Sequence, residues 1–134
     1  MVGVLIISHC HLAEELINAA EFIVGKLDKI EAVSIDPSKS VEGLRQEIQD
    51  AIARVDSGDG VLILTDMFGG TPSNISLSFL KEEKVDVVTG VNLPMVIKLA
   101  YARKDKKLWE VAETAKSCGK QSICSANQIL KKRI

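Results

Sequence analysis

An open, mainly parallel α/β sheet, doubly wound with helices on both faces, is the fold this sequence predicts. Three observations carry it. The runs Val2–Ile7 and Val61–Thr65 are almost wholly aliphatic and rich in β-branched residues, the pattern of parallel strands buried on both faces. Between and after them, apolar residues recur at helical spacing. The chain has 134 residues, 46% of them hydrophobic and 26% charged, which suits a single domain over 1–134 with a core that needs neither metal nor disulfide.

The elements follow in order. Val2–Ile7 is the first strand, and Leu12, Leu16, Ala20, Ile23 and Leu27 mark a first helix over 12–25. Ile30–Ile35, interrupted by Glu31 and Ser34, reads as a strand at the sheet edge. Asp36-Pro37-Ser38 is a turn, and Val41, Leu44, Ile48, Ala51 and Val55 line one face of a second helix, which Asp56-Ser57-Gly58-Asp59-Gly60 breaks. Val61–Thr65 is the third strand. Thr71-Pro72 then opens a helix, with Thr as N-cap and Pro at its first position. Val85–Thr89 is a fourth strand, Pro94–Ala102 and Leu108–Lys116 are helices, and Gln121–Ala126 is a candidate antiparallel C-terminal edge strand. In such sheets ligands bind beyond the carboxyl ends of the strands, where strand order reverses. A flavodoxin-like order makes strands one and three neighbours at that point.

Charge and composition exclude several function classes. Seventeen Lys and Arg balance 18 Asp and Glu for a net charge of −1, so nothing draws the chain to nucleic acid or anionic lipid. Aromatic residues are 4%, against a stacking or carbohydrate platform. Three cysteines, Cys10, Cys118 and Cys124, are an odd number without C-x-x-C spacing, as expected of free thiols in a reducing cytoplasm. The first residues lack a basic n-region, and no apolar run approaches the roughly 18 residues of a membrane span.

The switch-point loops, Ser8–His11 and Asp66–Thr71, hold the chemistry. Both histidines of the chain, His9 and His11, fall in the first loop, and Asp66 opens the second. A carboxylate that holds one ring nitrogen of a histidine fixes its tautomer and presents the other as a nucleophile. In Asp66-Met67-Phe68-Gly69-Gly70-Thr71-Pro72, the glycines let backbone approach a ligand closely, and the following helix start offers amides to an anion. Nucleophile, orienting acid and anion cradle together point to phosphoryl chemistry. Separately, each piece is as well explained by packing, turn formation or capping.

Other chemistries fit these residues less well. His9-Cys10-His11 has alternating side chains suited to a metal, but the chain holds no further histidine and Asp66 would have to complete the set. A Cys10 thiolate lacks an arginine in either loop to hold a phosphorylated substrate. A receiver domain shares the architecture but needs an acceptor aspartate where Ser8-His9 stands, and a dinucleotide fold needs glycines that the first loop lacks.

At these residues the sequence resembles the IIA component of the mannose-type phosphoenolpyruvate-dependent sugar phosphotransferase system. The matching pieces are Ile7-Ser8-His9 with Leu12-Ala13-Glu14, then Thr65–Asn74, then Gly90-Val91-Asn92-Leu93-Pro94-Met95, in family order and spacing. The Asp-x-x-Gly-Gly-Thr-Pro segment is the specific one. The phosphotransfer subunit of dihydroxyacetone kinases shares a Ser-His start without that continuation, and is the alternative within the superfamily. The alternative from a different class is a regulatory α/β module that binds a ligand without turnover.

The resemblance implies that His9 accepts a phosphoryl group from the phosphocarrier protein HPr and passes it to a IIB component, which serves a membrane sugar permease. It implies further that Asp66 bonds a ring nitrogen of His9, that Gly69, Gly70 and Thr71 receive the phosphoryl group, and that Asn92 shapes a third side of the pocket. No cofactor or metal is implied. A homodimer is, with the C-terminal strand pairing across subunits, although the sequence equally allows that strand an edge position within its own chain. His11 and Cys10 stand outside the motif. Because the IIA component handles phosphate, the sequence does not report which sugar is carried.

Overall fold

The computed structural model describes residues 1–133, with side chains through residue 131. Its elements are β1 (Gly3–His9), α1 (Leu12–Val24), β2 (Ile30–Ile35), α2 (Val41–Val55), β3 (Val61–Thr65), α3 (Thr71–Leu77), β4 (Val85–Thr89), α4 (Leu93–Ala102), α5 (Leu108–Gln121) and α6 (Ala126–Arg133). The four strands form one parallel sheet in the order β2-β1-β3-β4. The expected reversal therefore falls between β1 and β3, with Ile7 opposite Thr65.

Residues alternate across the sheet, and each face has its own core. Val4, Ile6, Leu62 and Leu64 point toward α1, α4 and α5, where Ala13, Ala20, Val96, Leu99 and Val111 meet them. Leu5, Ile7, Val61 and Ile63 point the other way, onto Leu44, Ile48, Ala51 and Val55 of α2 and Ile75 of α3. β1 is buried from Gly3 through Ser8 and emerges into solvent only at His9. Gly3 is required where it stands, because a β-carbon there would run into the carbonyl oxygen of Val55 at the end of α2.

The N-terminal edge of the sheet is stitched by a buried arginine. Arg103 is 3% exposed; its Nη1 donates to the carbonyl of Lys29 at 2.9 Å and its Nη2 to that of Asp28. Burial pushes the guanidinium pKa down from its ordinary value, and Asp28 partly opposes this. These bonds join the end of α4 to the turn that leads into β2. Arg103→Met is expected to cost about 3 kcal/mol, since two carbonyls lose a charged donor inside the protein. Urea denaturation should show this as a lower midpoint at unchanged slope.

Two expectations need correction. The segment Gln121–Ala126 is not a strand. α5 runs through Gln121; Ser122 N–H then bonds the Cys118 carbonyl, Ile123 N–H bonds that of Lys120, and α6 begins at Ala126. Ile123, Cys124 and Ala126, the apolar side chains of the stretch, are all exposed, and the backbone around them is bonded locally rather than to a sheet edge. The helix after β3 is capped by Gly70, one residue earlier than expected, so Thr71 and Pro72 are its first two residues. α5 also extends five residues beyond Lys116, to Gln121.

Candidate functional site

His9 is the last residue of β1, and Asp66 directly follows β3, so adjacent strands bring together two residues 57 apart in sequence. Asp66 Oδ2 accepts twice from His9: from the backbone N–H at 2.9 Å and at Nδ1 at 2.8 Å. Its Oδ1 accepts the Met67 N–H at 2.9 Å. The carboxylate thus holds the imidazole by ring and main chain together. Burial is the largest single influence on Asp66 and raises its pKa, but the bonds from His9 and Met67 together outweigh it and hold the carboxyl below the usual range. An ionised carboxylate only accepts, so Nδ1 carries a proton toward Asp66, and in the neutral imidazole the lone pair is on Nε2.

That nitrogen faces solvent beside the glycine loop. The His9 side chain is 47% exposed and that of Asp66 11%. A β-carbon built on Gly70 would sit 3.0 Å from His9 Cε1 and 3.4 Å from Nε2, so only the absence of a side chain leaves this flank of the ring open. Gly69 has φ +89°, the left-handed region that suits glycine, and turns the chain so that Gly70 and Thr71 open α3 next to the ring. The sequence-predicted residues His9, Asp66, Gly69, Gly70 and Thr71 therefore converge.

His11 does not join them. Its side chain is 79% exposed with Nδ1 3.6 Å from Glu14 Oε2, on the first turn of α1. Cys10, between the histidines, is exposed and takes φ +51°, which reverses the chain from β1 into α1. Among the described residues no three His, Cys, Asp or Glu side chains are grouped to hold a metal ion. Asn92 lies in the neighbouring turn, whose Gly90 and Val91 amides bond the Thr65 carbonyl. Its own side chain is engaged elsewhere: Oδ1 accepts the Met95 N–H at 3.1 Å and caps α4, and Nδ2 donates to the Gly119 carbonyl of α5 at 3.0 Å.

Sequence reasoning missed one participant. Ser8, fully buried, accepts the Ala13 N–H at 2.7 Å and donates to the His9 carbonyl at 3.1 Å. A serine in an otherwise aliphatic strand was the available signal. The larger cavity, of about 860 Å³, lies at the opposite end of the sheet among Gly58, Leu80, Lys106 and Trp109. The His9 side chain stands on an open surface, at the other end of the sheet from that cavity.

The chain is similar to known proteins over most of its length. A family model described as PTS system fructose IIA component matches residues 3–116. The chain is 29% identical over 124 residues to the mannose-specific EIIAB component of Escherichia coli, covering 91% of this chain and 38% of that protein. It is 29% identical over 128 residues to the fructose-specific EIIA component of Bacillus subtilis, covering 93% and 88%. The crystal structure of a PTS IIA protein associated with the fucose utilization operon of Streptococcus pneumoniae superposes with a TM-score of 0.83 at 29% identity, covering 97% and 99%.

Proposed function

The chain belongs to the mannose/fructose-type EIIA family of the sugar phosphotransferase system, and from that premise we propose that it is a phosphoryl carrier whose acceptor is Nε2 of His9. The observation that carries the reading is the pair of hydrogen bonds that Asp66 Oδ2 accepts from the His9 N–H and from Nδ1, which in the neutral ring leaves Nε2 as the nitrogen without a proton, on a side chain 47% exposed. Phospho-HPr delivers the group in line: the N–P bond of the donor histidine breaks as the bond to His9 Nε2 forms. The amides and hydroxyl at Gly69, Gly70 and Thr71 receive the phosphoryl oxygens, so charge is met by donors already in place. Asp66 remains ionised and balances the imidazolium character of the phosphorylated ring. The group then leaves to a IIB component serving a sugar permease. The chain works in the cytoplasm, in keeping with three free cysteines and, among the described residues, no helix long and apolar enough to cross a membrane.

The test is transfer itself. Incubation with phospho-HPr should give acid-labile, base-stable phosphate on the chain, discharged when a IIB domain is added. No labelling under conditions that charge a known IIA component would favour the regulatory module instead.

Met67 and Phe68 extend the partner-facing surface beside the site, 55% and 72% exposed. Replacing both by Ser should lower kcat/KM for phospho-HPr about tenfold through lost apolar contact. Stability, read by thermal denaturation, should change by less than about 0.5 kcal/mol, as for exposed positions in general. The chain is also expected to form a homodimer. With Gln121–Ala126 not a strand, the support for it is the open edge of β4 together with the exposed side chain of Ile123 near Val88 and Thr89. A single monomeric species in sedimentation equilibrium at micromolar concentration would exclude the dimer.

A further inference from the structure

α1 begins without a cap of its own. His11, its N-cap residue, makes no side-chain cap bond, and Cys10 before it stands in the left-handed region. The first four amides of any helix need partners from outside its own ladder. Here the buried Ala13 N–H is met from five residues upstream by the Ser8 hydroxyl at 2.7 Å. The same hydroxyl turns its proton to the His9 carbonyl at 3.1 Å. A hydroxyl has one proton to give and lone pairs to accept with, so both bonds form at once. Ser8 points to the α1 face of the sheet, whereas His9, next in the strand, presents its ring to Asp66. The peptide after His9 is then held on both sides: its carbonyl by Ser8, and its Cys10 N–H by the Ile35 carbonyl at 3.2 Å.

We propose that Ser8 is the positioning residue for the phosphoryl acceptor: by capping α1 and holding the His9 carbonyl, it fixes the β1–α1 turn and so the seat of the imidazole against Asp66. The inference rests on His9 being the acceptor. Ser8 touches neither phosphate nor ring, and its effect passes through the backbone of His9. With the hydroxyl removed, the Ala13 amide and the His9 carbonyl lose their partner together, and the turn through Cys10 has only the Ile35 bond to set it. The ring then samples positions in which Nδ1 is not bonded to Asp66, and the fraction of protein with Nε2 free at the right angle falls.

The experiment compares wild type, Ser8→Ala, Ser8→Thr, Ser8→Cys and Arg103→Met at 25 °C. Arg103→Met lowers stability at the far end of the sheet and controls for destabilisation alone. Ser8→Ala is expected to lower kcat for transfer from phospho-HPr about tenfold with KM unchanged, as a small misplacement of a reacting group does. Its His9 ring nitrogens, followed by ¹⁵N NMR, should move toward a mixture of tautomers. Ser8→Thr, which keeps the hydroxyl, should recover most of the rate, and Ser8→Cys, with a weak donor and acceptor of similar bulk, should fall between. Arg103→Met should match wild type in kcat and ring spectrum. Wild-type kcat and ring shifts in Ser8→Ala, or in Ser8→Cys should the alanine variant not fold, would overturn the proposal. Labelling that persists in His9→Ala would instead remove the acceptor assignment on which it stands.

Discussion

His9→Ala is expected to abolish labelling by phospho-HPr, while His11→Ala leaves it within about twofold of wild type, as for an exposed position away from the chemistry. The two histidines are two residues apart and chemically identical in isolation, so the difference lies entirely in where the backbone puts them. His9 ends a buried strand and is tied at its main-chain nitrogen and at Nδ1 to one carboxylate oxygen. His11 stands on the first turn of α1, 79% exposed, and its nearest acid is Glu14 at 3.6 Å. A freely rotating ring shares its proton between both nitrogens and offers no fixed direction of attack, whereas the His9 ring is held with one nitrogen free. Acid-labile phosphate counted on wild type and both variants decides the matter. Label that survives His9→Ala and vanishes in His11→Ala would reverse the assignment.

Asp66→Asn should slow transfer by on the order of 100-fold, a loss of the kind seen when an orienting carboxylate becomes an amide. Asp66 accepts three bonds and gives none. An asparagine has one oxygen and one NH₂ group, and neither orientation suits this site. With the oxygen toward His9, the NH₂ meets the Met67 N–H; with the NH₂ toward His9, the ring must accept at Nδ1 and carry its proton on Nε2, where the phosphoryl group should go. Ring ¹⁵N shifts would report that inversion directly. Stability should change with pH in a defined direction. The folded-state pKa of Asp66 is held below its unfolded value of 3.8, so its stabilising contribution is complete above that pH and is lost as pH falls toward the folded value. The acid limb of wild-type stability should therefore be steeper below about pH 4 than that of Asp66→Asn, in urea titrations across pH 2–6. Coincident acid limbs would mean that the carboxylate is not held by His9 in solution.

Much of the architecture was legible because it depends on local pattern. Val2–Ile7 and Val61–Thr65 have the pattern of strands buried on both faces, and Leu44, Ile48, Ala51 and Val55 recur as one stripe of a helix. The four strands lie where those patterns place them. Gln121–Ala126 was not legible in this way. Three apolar residues among polar ones have no strand period, and the stretch became the end of α5, a short turn and the start of α6, its amides bonded locally. Asn92 shows a different limit. The resemblance implied a place at the pocket; what the sequence did not show is that its side chain bonds the Met95 N–H and the Gly119 carbonyl, the latter across 27 residues that no local pattern connects.

By itself the sequence determined the class of fold, the ends of β1 and β3 as the place to look, and the residue types assembled there. The pairing of His9 with Asp66 was expected from the sequence; only the tertiary structure decided that one carboxylate oxygen holds both the ring and the main chain of His9, and that the Ser8 hydroxyl bonds both ends of the turn. The reason is physical. Element type follows from the spacing of apolar side chains a few residues apart, whereas the aim of a side chain depends on strand order, on a register that sets Ile7 against Thr65, and on a turn conformation at Cys10 that are fixed only once the whole sheet has closed.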